Sequence, residues 1–125
     1  MKTQTFRSSM KCALNGIYLS LKSEKNIRRH ILATLIVFLL GTVFQLSIKE
    51  WLWIILCCGF VITTEMLNTA IEATVDIITT STNMQAKKAK DIAAGATLFS
   101  AITSLIIGCI IFLPKLILLF KEYIR

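Results

Sequence analysis

Four polar residues recur on one face of an otherwise apolar stretch that covers residues 51–78. Spaced i, i+3, i+7 and i+11, they are Glu65, Asn68, Glu72 and Asp76. At 100° per residue, the three carboxylates would lie within about 20° of one line along a helix, with the amide about 60° to one side. Carboxylates inside an apolar helix are costly, and they usually face a protein interior and serve a function.

The tryptophan that opens the same stretch indicates how deep these residues lie. If Trp51 marks one membrane boundary, Glu65 is about 21 Å and Glu72 about 31 Å further along a helix that rises 1.5 Å per residue. The hydrocarbon core is about 30 Å thick. We therefore expect Glu65 within the inner third of the core, Glu72 at the far interface and Asp76 in water.

Three further charged residues are expected at this same interface. Glu24 precedes the first apolar stretch, and Lys90 and Asp91 open the third. A water-soluble nucleotide and a lipid headgroup could meet at this level. Phosphoryl transfer to a lipid hydroxyl would use such groups, because carboxylates hold magnesium, a lysine contacts phosphates and a base such as Glu65 activates the hydroxyl.

The same residues also have structural interpretations that the sequence leaves open. Glu65 and Asn68 could form polar contacts between helices, and Asp76 could be the solvated end of a long helix. Lys90 could be a charge that only sets membrane orientation. Asp91 could cap the third apolar helix, since acidic residues favour helix starts.

The composition predicts that membrane helices carry these residues. Of 125 residues, 55% are apolar and 17% are charged, against roughly 25% charged in soluble proteins. The mean hydropathy is +0.72. A soluble domain of this length could not bury so much apolar surface, and a disordered or collagen-like chain is excluded. We therefore expect one domain, residues 1–125, built as an all-α integral membrane protein.

Three spans are predicted at about residues 31–48, 51–78 and 91–114, because about 20 apolar residues cross the hydrocarbon core. Residues 1–30 form a basic segment in which residues 8–22 fit an amphipathic helix. Its apolar stripe consists of Met10, Leu14, Ile17, Tyr18 and Leu21. This helix could rest on the membrane surface or pack against the spans, and both can hold.

The distribution of charge predicts the orientation and argues against nucleic acid as a partner. The net charge is +7, and the basic residues flank the apolar stretches, as expected for contact with anionic lipid headgroups. By the positive-inside rule, the basic N-terminus and the link between the second and third spans lie in the cytosol. We expect a multi-pass plasma-membrane protein, whose basic tail after residue 114 falls outside against the rule.

Three short sequences carry a resemblance to a known family. They are EMLNTAIEATVD at 65–76, AKDIAAGA at 89–96 and EKN at 24–26. The first is similar to the pattern E-x-L-N-[ST]-A-I-E-x-x-V-D of the prokaryotic diacylglycerol kinase and undecaprenol kinase family, and it meets every fixed position. LSIKEW at 46–51, His30 and FLPKL at 112–116 resemble the Gram-positive members, which phosphorylate undecaprenol. The resemblance covers nearly the whole chain.

The resemblance implies a homotrimer with three spans and one surface helix per chain, active sites shared between neighbouring subunits, and ATP with Mg²⁺. It implies that Glu65 is the general base that activates the lipid hydroxyl. Glu24 and Glu72 would bind the metal that bridges the phosphates, and Asn68 would position the metal–nucleotide or the base.

The nucleotide site implied by the resemblance extends to the third span. Lys90 would contact the phosphates and Asp91 would lie beside it at the nucleotide, together with the three ligands Glu24, Asn68 and Glu72. The resemblance assigns no definite role to two further residues. Asp76 lies within the motif as a supporting residue, and Arg7 lies near the family's N-terminal arginine but at a different spacing.

The sequence therefore predicts a lipid kinase that transfers the γ-phosphoryl group of ATP to undecaprenol at the cytosolic face, giving undecaprenyl phosphate for cell-wall precursors. Diacylglycerol is the alternative acceptor. A transporter or proton relay also uses acidic residues in a membrane, but the first span carries no charge and the acids stop in the inner half of the second. A structural membrane protein would tolerate loss of the Glu65 carboxylate.

Overall fold

The fold is entirely α-helical in the part of the chain that the structure describes, residues 5–79 and 83–124 of a computed structural model. The helices follow in the order α1 (Phe6–Ser23), α2 (Lys25–Val43), α3 (Ile48–Ile78) and α4 (Met84–Tyr123). Helices α2, α3 and α4 are each long and apolar enough to cross a membrane. The predicted all-α membrane fold, with three spans after an N-terminal helix, is confirmed.

The spanning helices are longer than the apolar stretches that predict them. Helix α3 has 31 residues and α4 has 40, which correspond to about 46 Å and 60 Å. Helix α2 begins at Lys25 rather than near residue 31, and α4 continues through Pro114 to Tyr123. Hydropathy marks only the part of a helix that lies in hydrocarbon, so the helical turns beyond it escape detection.

A tight turn joins α2 to α3. Gly41 approaches Trp51 so closely that an added Cβ would lie 2.7 Å from the indole ring. Gln45 has a positive φ of 49°, which reverses the chain. Helix α3 then starts with a capping box, in which the Ser47 N–H donates to Glu50 Oε2 at 2.7 Å. This box satisfies N–H groups that the first helical turn leaves free, and the turn sets α2 antiparallel to α3.

Helix α3 is central, and α4 packs against it in an antiparallel arrangement. Contacts across this pair are distributed from one end to the other. They join Glu50 to Lys115, Cys57 to Ser104, Thr64 to Ser100 and Asp76 to Lys90. As the residue number rises on α3 it falls by nearly the same amount on α4. A single register therefore relates each residue of the acidic face of α3, which consists of Glu65, Asn68, Glu72 and Asp76, to a level on α4.

Helix α1 presents its apolar stripe away from the rest of the chain. None of its described residues is buried, and Met10, Leu14 and Tyr18 are all well exposed. Large apolar side chains on an amphipathic helix favour burial at the boundary of headgroups and acyl chains. This arrangement supports the membrane-surface interpretation of residues 8–22 over packing against the protein's own spans.

Candidate active site

Glu65 is buried between helices, with 4% of its surface exposed. The other buried residues of α3 are Ile54, Cys57 and Val61. Glu65 follows Val61 by one helical turn and continues the same line along the helix. The carboxylate therefore stands at the end of an apolar face, as its position in an apolar stretch predicts.

The hydroxyl groups near the level of Glu65 donate to other acceptors. Ser100 Oγ donates to the Thr97 carbonyl at 2.7 Å, and Thr97 Oγ1 to the Ala93 carbonyl at 3.5 Å. Thr64 Oγ1 lies 2.8 Å from Ser100 Oγ. Within residues 5–79 and 83–124, the Glu65 carboxylate accepts no hydrogen bond. A general base needs a carboxylate whose oxygens are not taken up by protein donors, so this geometry is compatible with the predicted role of Glu65.

Asn68 and Glu72 form a joined pair one and two turns beyond Glu65. Asn68 Nδ2 donates to Glu72 Oε1 at 3.1 Å. The other amide atom, Asn68 Oδ1, is buried and has no hydrogen-bond partner among the described residues. Buried polar atoms are normally paired. A buried amide oxygen beside a carboxylate is a set of hard oxygen donors that suits Mg²⁺.

Glu24 lies at the joint between α1 and α2, and helix geometry places this joint at about the level of Glu65 on α3. Phe38 of α2 packs edge-on against Trp51 of α3, with ring centroids 5.4 Å apart. Glu24 is 14 residues from Phe38, and Glu65 is 14 residues from Trp51. Because the helices are antiparallel, both carboxylates are about 21 Å from that ring contact. The joint between α1 and α2 thus lies level with the base predicted on α3.

Two arginines close to Glu24 in sequence are engaged elsewhere. Arg28 Nη1 donates to the Leu21 and Lys22 carbonyls at 3.2 and 2.9 Å, and Arg29 Nη1 donates to Asn26 Oδ1 at 3.1 Å. The first of these satisfies carbonyls that the end of α1 leaves free. Among the described residues, no cation lies within ion-pair distance of the half-buried Glu24 carboxylate.

The acidic residues do not form a closed metal cage within one chain. In the described ranges, no three histidine, cysteine or acidic side chains come close enough to enclose an ion. Mg²⁺ usually takes one or two protein carboxylates and completes its shell with water and substrate phosphates. The open arrangement of Glu72, Asn68 and the separate Glu24 is compatible with a metal that arrives with its nucleotide.

Asp76 and Lys90 form an ion pair across α3 and α4. Lys90 Nζ lies 2.5 Å from Asp76 Oδ1, with 34% of the lysine side chain and 65% of the aspartate side chain exposed. Asp76, to which the family resemblance assigns no role, therefore contacts Lys90, which the resemblance implies is a phosphate contact. The pair holds the ammonium group at the same end of the bundle as Glu72.

Asp91 does not begin a helix, so the capping interpretation is wrong. Helix α4 starts at Met84, and Asn83 is its cap, with Oδ1 accepting from the Gln85 and Ala86 N–H groups at 2.8 and 3.3 Å. The prediction failed because the polar, charged residues before the third apolar stretch are already helical. Asp91 instead lies two turns inside α4, on its exposed surface.

Lys87 and Lys88 share a shallow surface depression with Asp91. This depression, near the start of α4, is adjacent in sequence to Lys90. The two lysines give it a basic character that would attract phosphate groups. The depression lies next to Lys90, at the end of the bundle that also carries Glu72 and Asp76. Lys87 and Lys88 are not among the residues that the family pattern indicates.

An apolar groove of about 420 Å³ leads along the bundle toward Glu65. It lies between α2, α3 and α4, with Ile54, Cys57 and Val61 on its α3 side. His30 and Phe112 are among its other lining residues. Glu65 does not line the groove itself, but it follows Val61, the last lining residue on α3, by one helical turn on the same buried face. Sequence reasoning missed the groove, since no pattern along one helix reveals a space between three.

Sequence reasoning also missed the hydroxyl contacts between α3 and α4. Thr64, Thr97 and Ser100 were not singled out, although Thr97 and Ser100 are buried and Ser100 has 0% of its surface exposed. The available signal was the recurrence of serine and threonine at helical spacing in an apolar span. Such residues often contribute hydrogen bonds at helix–helix interfaces in membranes.

The fold and site define a small multi-pass membrane protein with carboxylate, amide and ammonium groups gathered at one end of its bundle. Residues 11–112 match the family described as prokaryotic diacylglycerol kinase. The chain belongs to this family, and the resemblance seen in its sequence motifs is confirmed.

Curated relatives fall into two named activities. The chain is 46% identical over 111 residues to the undecaprenol kinase of Bacillus subtilis (strain 168), covering 89% of this chain and 90% of that protein. It is 33% identical over 110 residues to a diacylglycerol kinase of Synechocystis sp., covering 87% and 63%. A Helicobacter pylori (strain J99) diacylglycerol kinase is 31% identical over 88 residues, covering 70% and 69%. These identities support the Gram-positive undecaprenol kinase branch.

Proposed function

We propose that this protein is an ATP-dependent lipid kinase that phosphorylates undecaprenol. The observation that carries the proposal is the buried Glu65 carboxylate, which accepts no hydrogen bond from the described residues and lies one helical turn beyond the last α3 residue that lines an apolar groove. The similarity to an undecaprenol kinase over most of both chains supports this acceptor. Diacylglycerol is the alternative, supported by the named activity of other relatives.

In the proposed reaction, Glu65 accepts the proton of the lipid hydroxyl while the hydroxyl oxygen attacks the γ-phosphorus of ATP. The bond from that phosphorus to the β,γ-bridging oxygen breaks, and ADP leaves with the bond electrons. The products are lipid phosphate and ADP. Positioning and charge stabilisation provide most of the rate in such transfers, and the polar end of the bundle supplies both.

Glu24, Asn68 and Glu72 are the residues proposed to hold Mg²⁺ with the nucleotide. Asn68 Oδ1, which has no hydrogen-bond partner in the described part of the chain, and the adjacent Glu72 carboxylate fit this ion. When bound, magnesium would neutralise negative charge on the ATP phosphates. Lys90 is proposed to contact the phosphates, which would compete with Asp76 for its ammonium group. Asp91 would lie beside it at the nucleotide.

The groove is proposed to hold the part of the lipid chain nearest the hydroxyl. Its lining is mostly apolar, and its last lining residue on α3, Val61, lies one helical turn from Glu65. A polyprenyl chain in this groove would direct its hydroxyl toward the carboxylate, and the rest of the chain would remain in the bilayer. A partner subunit in the groove is the alternative occupant, and it would make the lipid KM insensitive to substitutions there.

We propose a homotrimer in the plasma membrane, with the N-terminus and the link between α3 and α4 in the cytosol. Among the described residues of one chain, no three acidic, histidine or cysteine side chains come together, which supports a site completed by a neighbour or by substrate. Sedimentation in detergent should give three chains per particle, and a single chain would contradict the trimer. Cys12 on the exposed surface of α1 should react with an impermeant maleimide only from the cytosolic side.

A competition assay tests the reaction and the acceptor together. Purified protein in mixed micelles receives γ-labelled ATP and Mg²⁺, with undecaprenol and diacylglycerol offered at equal concentrations. We expect the label mainly in undecaprenyl phosphate. Glu65→Gln should abolish it, and Glu122→Gln, an exposed carboxylate near the end of α4, should not. Label mainly in phosphatidic acid would overturn the acceptor, and label in neither lipid would overturn the kinase.

A further inference from the structure

A pair of hydroxyl groups joins α3 to α4 next to the proposed base. Thr64 Oγ1 and Ser100 Oγ are 2.8 Å apart. Thr64 immediately precedes Glu65 in the chain, and Ser100 is fully buried. The contact lies between the two ion pairs that join the ends of α3 and α4, Glu50–Lys115 and Asp76–Lys90. It therefore fixes the distance between the two helices at the depth of Glu65.

Both hydroxyl protons are used within this contact, whichever oxygen is the donor. Thr64 Oγ1 is 3.1 Å and 3.0 Å from the Phe60 and Val61 carbonyl oxygens. Ser100 Oγ is 2.7 Å from the Thr97 carbonyl oxygen. One hydroxyl donates to the other, and the second donates to a carbonyl of its own helix. Neither proton is then available to Glu65.

The contact also sets the height of α4 relative to α3. In the antiparallel register, Ser100 lies level with Thr64, and ten residues further toward the start of α4 is Lys90. Lys90 meets Asp76 on α3 at that end. A rotation or slide of α4 would therefore change the position of the lysine relative to both Glu65 and Glu72.

We propose that Thr64 and Ser100 are positioning residues for phosphoryl transfer. Their bridge holds α3 and α4 at one distance and rotation, so that Glu65 faces the acceptor hydroxyl with oxygens that none of the described residues occupies as a donor. This inference rests on the proposed kinase function and on Glu65 as its base. Neither hydroxyl touches the reacting atoms, and their effect acts through the carboxylate.

The substitutions that test this role remove the hydroxyl and keep the side-chain shape. Thr64→Val and Ser100→Ala each break the bridge, and Thr64→Ser retains it. Thr103→Val is the matched control, because Thr103 Oγ1 donates to the Phe99 carbonyl of its own helix at 2.9 Å and contacts no other helix by a hydrogen bond within residues 5–79 and 83–124. Each variant is first compared with the wild type by thermal unfolding in detergent, so that loss of fold is recognised.

The measurement is kcat and both KM values for transfer to undecaprenol in mixed micelles. Misplacing a reacting group lowers turnover more than binding, so kcat should fall about tenfold in Thr64→Val and in Ser100→Ala, while KM for ATP and lipid stays within about twofold. Combining the two changes should lower kcat no further than either alone. Thr64→Ser and Thr103→Val should keep kcat within about twofold of wild type.

Two results would overturn the positioning role. One is a wild-type kcat in Thr64→Val, and the other is an equal loss of kcat in Thr103→Val. If Thr64→Val does not fold, Ser100→Ala applies the same test from α4. Failure of the kinase proposal is distinct, since the wild type would then label no lipid. If the wild type is active, Glu65→Gln is inactive and Thr64→Val is normal, the positioning role of the Thr64–Ser100 contact is overturned and the kinase proposal stands.

Discussion

At the scale of single residues, burial and hydrogen bonding separate carboxylates that look alike in the sequence. Glu65 is buried and accepts no hydrogen bond from the described residues, whereas Glu72 accepts one from Asn68 and Asp76 forms an ion pair with Lys90. The shared face could be predicted because helix geometry fixes which residues align. The Asn68–Glu72 contact has the i, i+4 spacing that brings side chains together. The Asp76–Lys90 pair could not be predicted, because it depends on how two helices pack.

The buried amide oxygen of Asn68, which no described residue contacts by a hydrogen bond, leads to a testable prediction about magnesium. Asn68→Ala removes one oxygen donor and the hydrogen bond that orients Glu72. We expect the Mg²⁺ concentration for half-maximal activity to rise about tenfold, as for loss of a residue that orients a metal ligand. Titration of Mg²⁺ at saturating ATP measures this value. Asn15→Ala, on the exposed surface of α1, should leave it unchanged, and an equal value in both variants would remove Asn68 from the metal site.

Asp76 and Lys90 should affect the enzyme differently although they touch. Lys90→Gln removes a charge from the proposed phosphate site, and KM for ATP should rise about tenfold or more, as for loss of a charged contact. Asp76→Asn removes only an exposed partner, which costs about 0–1 kcal/mol of stability. Its KM for ATP should stay equal or fall, because Lys90 is released. Equal increases in KM in both variants would show that the pair acts as one structural unit.

At the scale of helices, the sequence predicted the elements well and their ends poorly. Spans near 31–48, 51–78 and 91–114 correspond to α2, α3 and α4, but α2 and α4 start earlier in charged sequence. Hydropathy responds to the hydrocarbon core, whereas a helix continues until a cap or turn ends it. The Asn83 cap and the Ser47–Glu50 capping box define such ends here. The groove depends on three helices at once, so no single pattern predicts it.

The close approach of Gly41 to Trp51 at the turn between α2 and α3 predicts that alanine has opposite effects there and at Gly59 within α3. Glycine to alanine inside a helix normally stabilises by about 0.5–1 kcal/mol. At Gly41 the new Cβ would lie 2.7 Å from the Trp51 ring, whereas at Gly59 it would meet no atom within 4 Å. We expect Gly41→Ala to lower the thermal midpoint in detergent and Gly59→Ala to keep or raise it. A raised midpoint in Gly41→Ala would contradict the close approach.

At the scale of the whole molecule, the charged residues around Glu72, Asp76 and Lys90 lie at one end of the bundle, and the apolar groove lies further along it. The acidic face, Lys90 and the basic depression lie at one end of the bundle, and the groove leads toward them from inside the membrane. In the proposed reaction, this division would let a charged nucleotide approach one carboxylate from water and an apolar lipid approach it from the bilayer. Glu65 lies at their boundary.

A side chain placed in the groove should weaken lipid binding alone. Gly108 lines the groove, and a Cβ there would meet no atom within 4 Å, so Gly108→Leu adds volume to the groove itself. We expect KM for undecaprenol to rise about fivefold or more, from the loss of roughly 1 kcal/mol of apolar contact, with KM for ATP unchanged. Gly59→Leu, outside the groove, is the control. Identical lipid KM values in the two variants would favour a partner subunit as the occupant.

The most direct test of the central claim is to measure ATP binding and turnover on the same Glu65→Gln protein. The amide keeps the shape of the side chain but cannot accept the hydroxyl proton, and general bases contribute about 10²–10⁴ in rate. We predict that undecaprenol phosphorylation falls at least about 100-fold, while the dissociation constant for MgATP and the thermal midpoint match the wild type. Turnover near the wild-type rate from this protein would contradict Glu65 as the base.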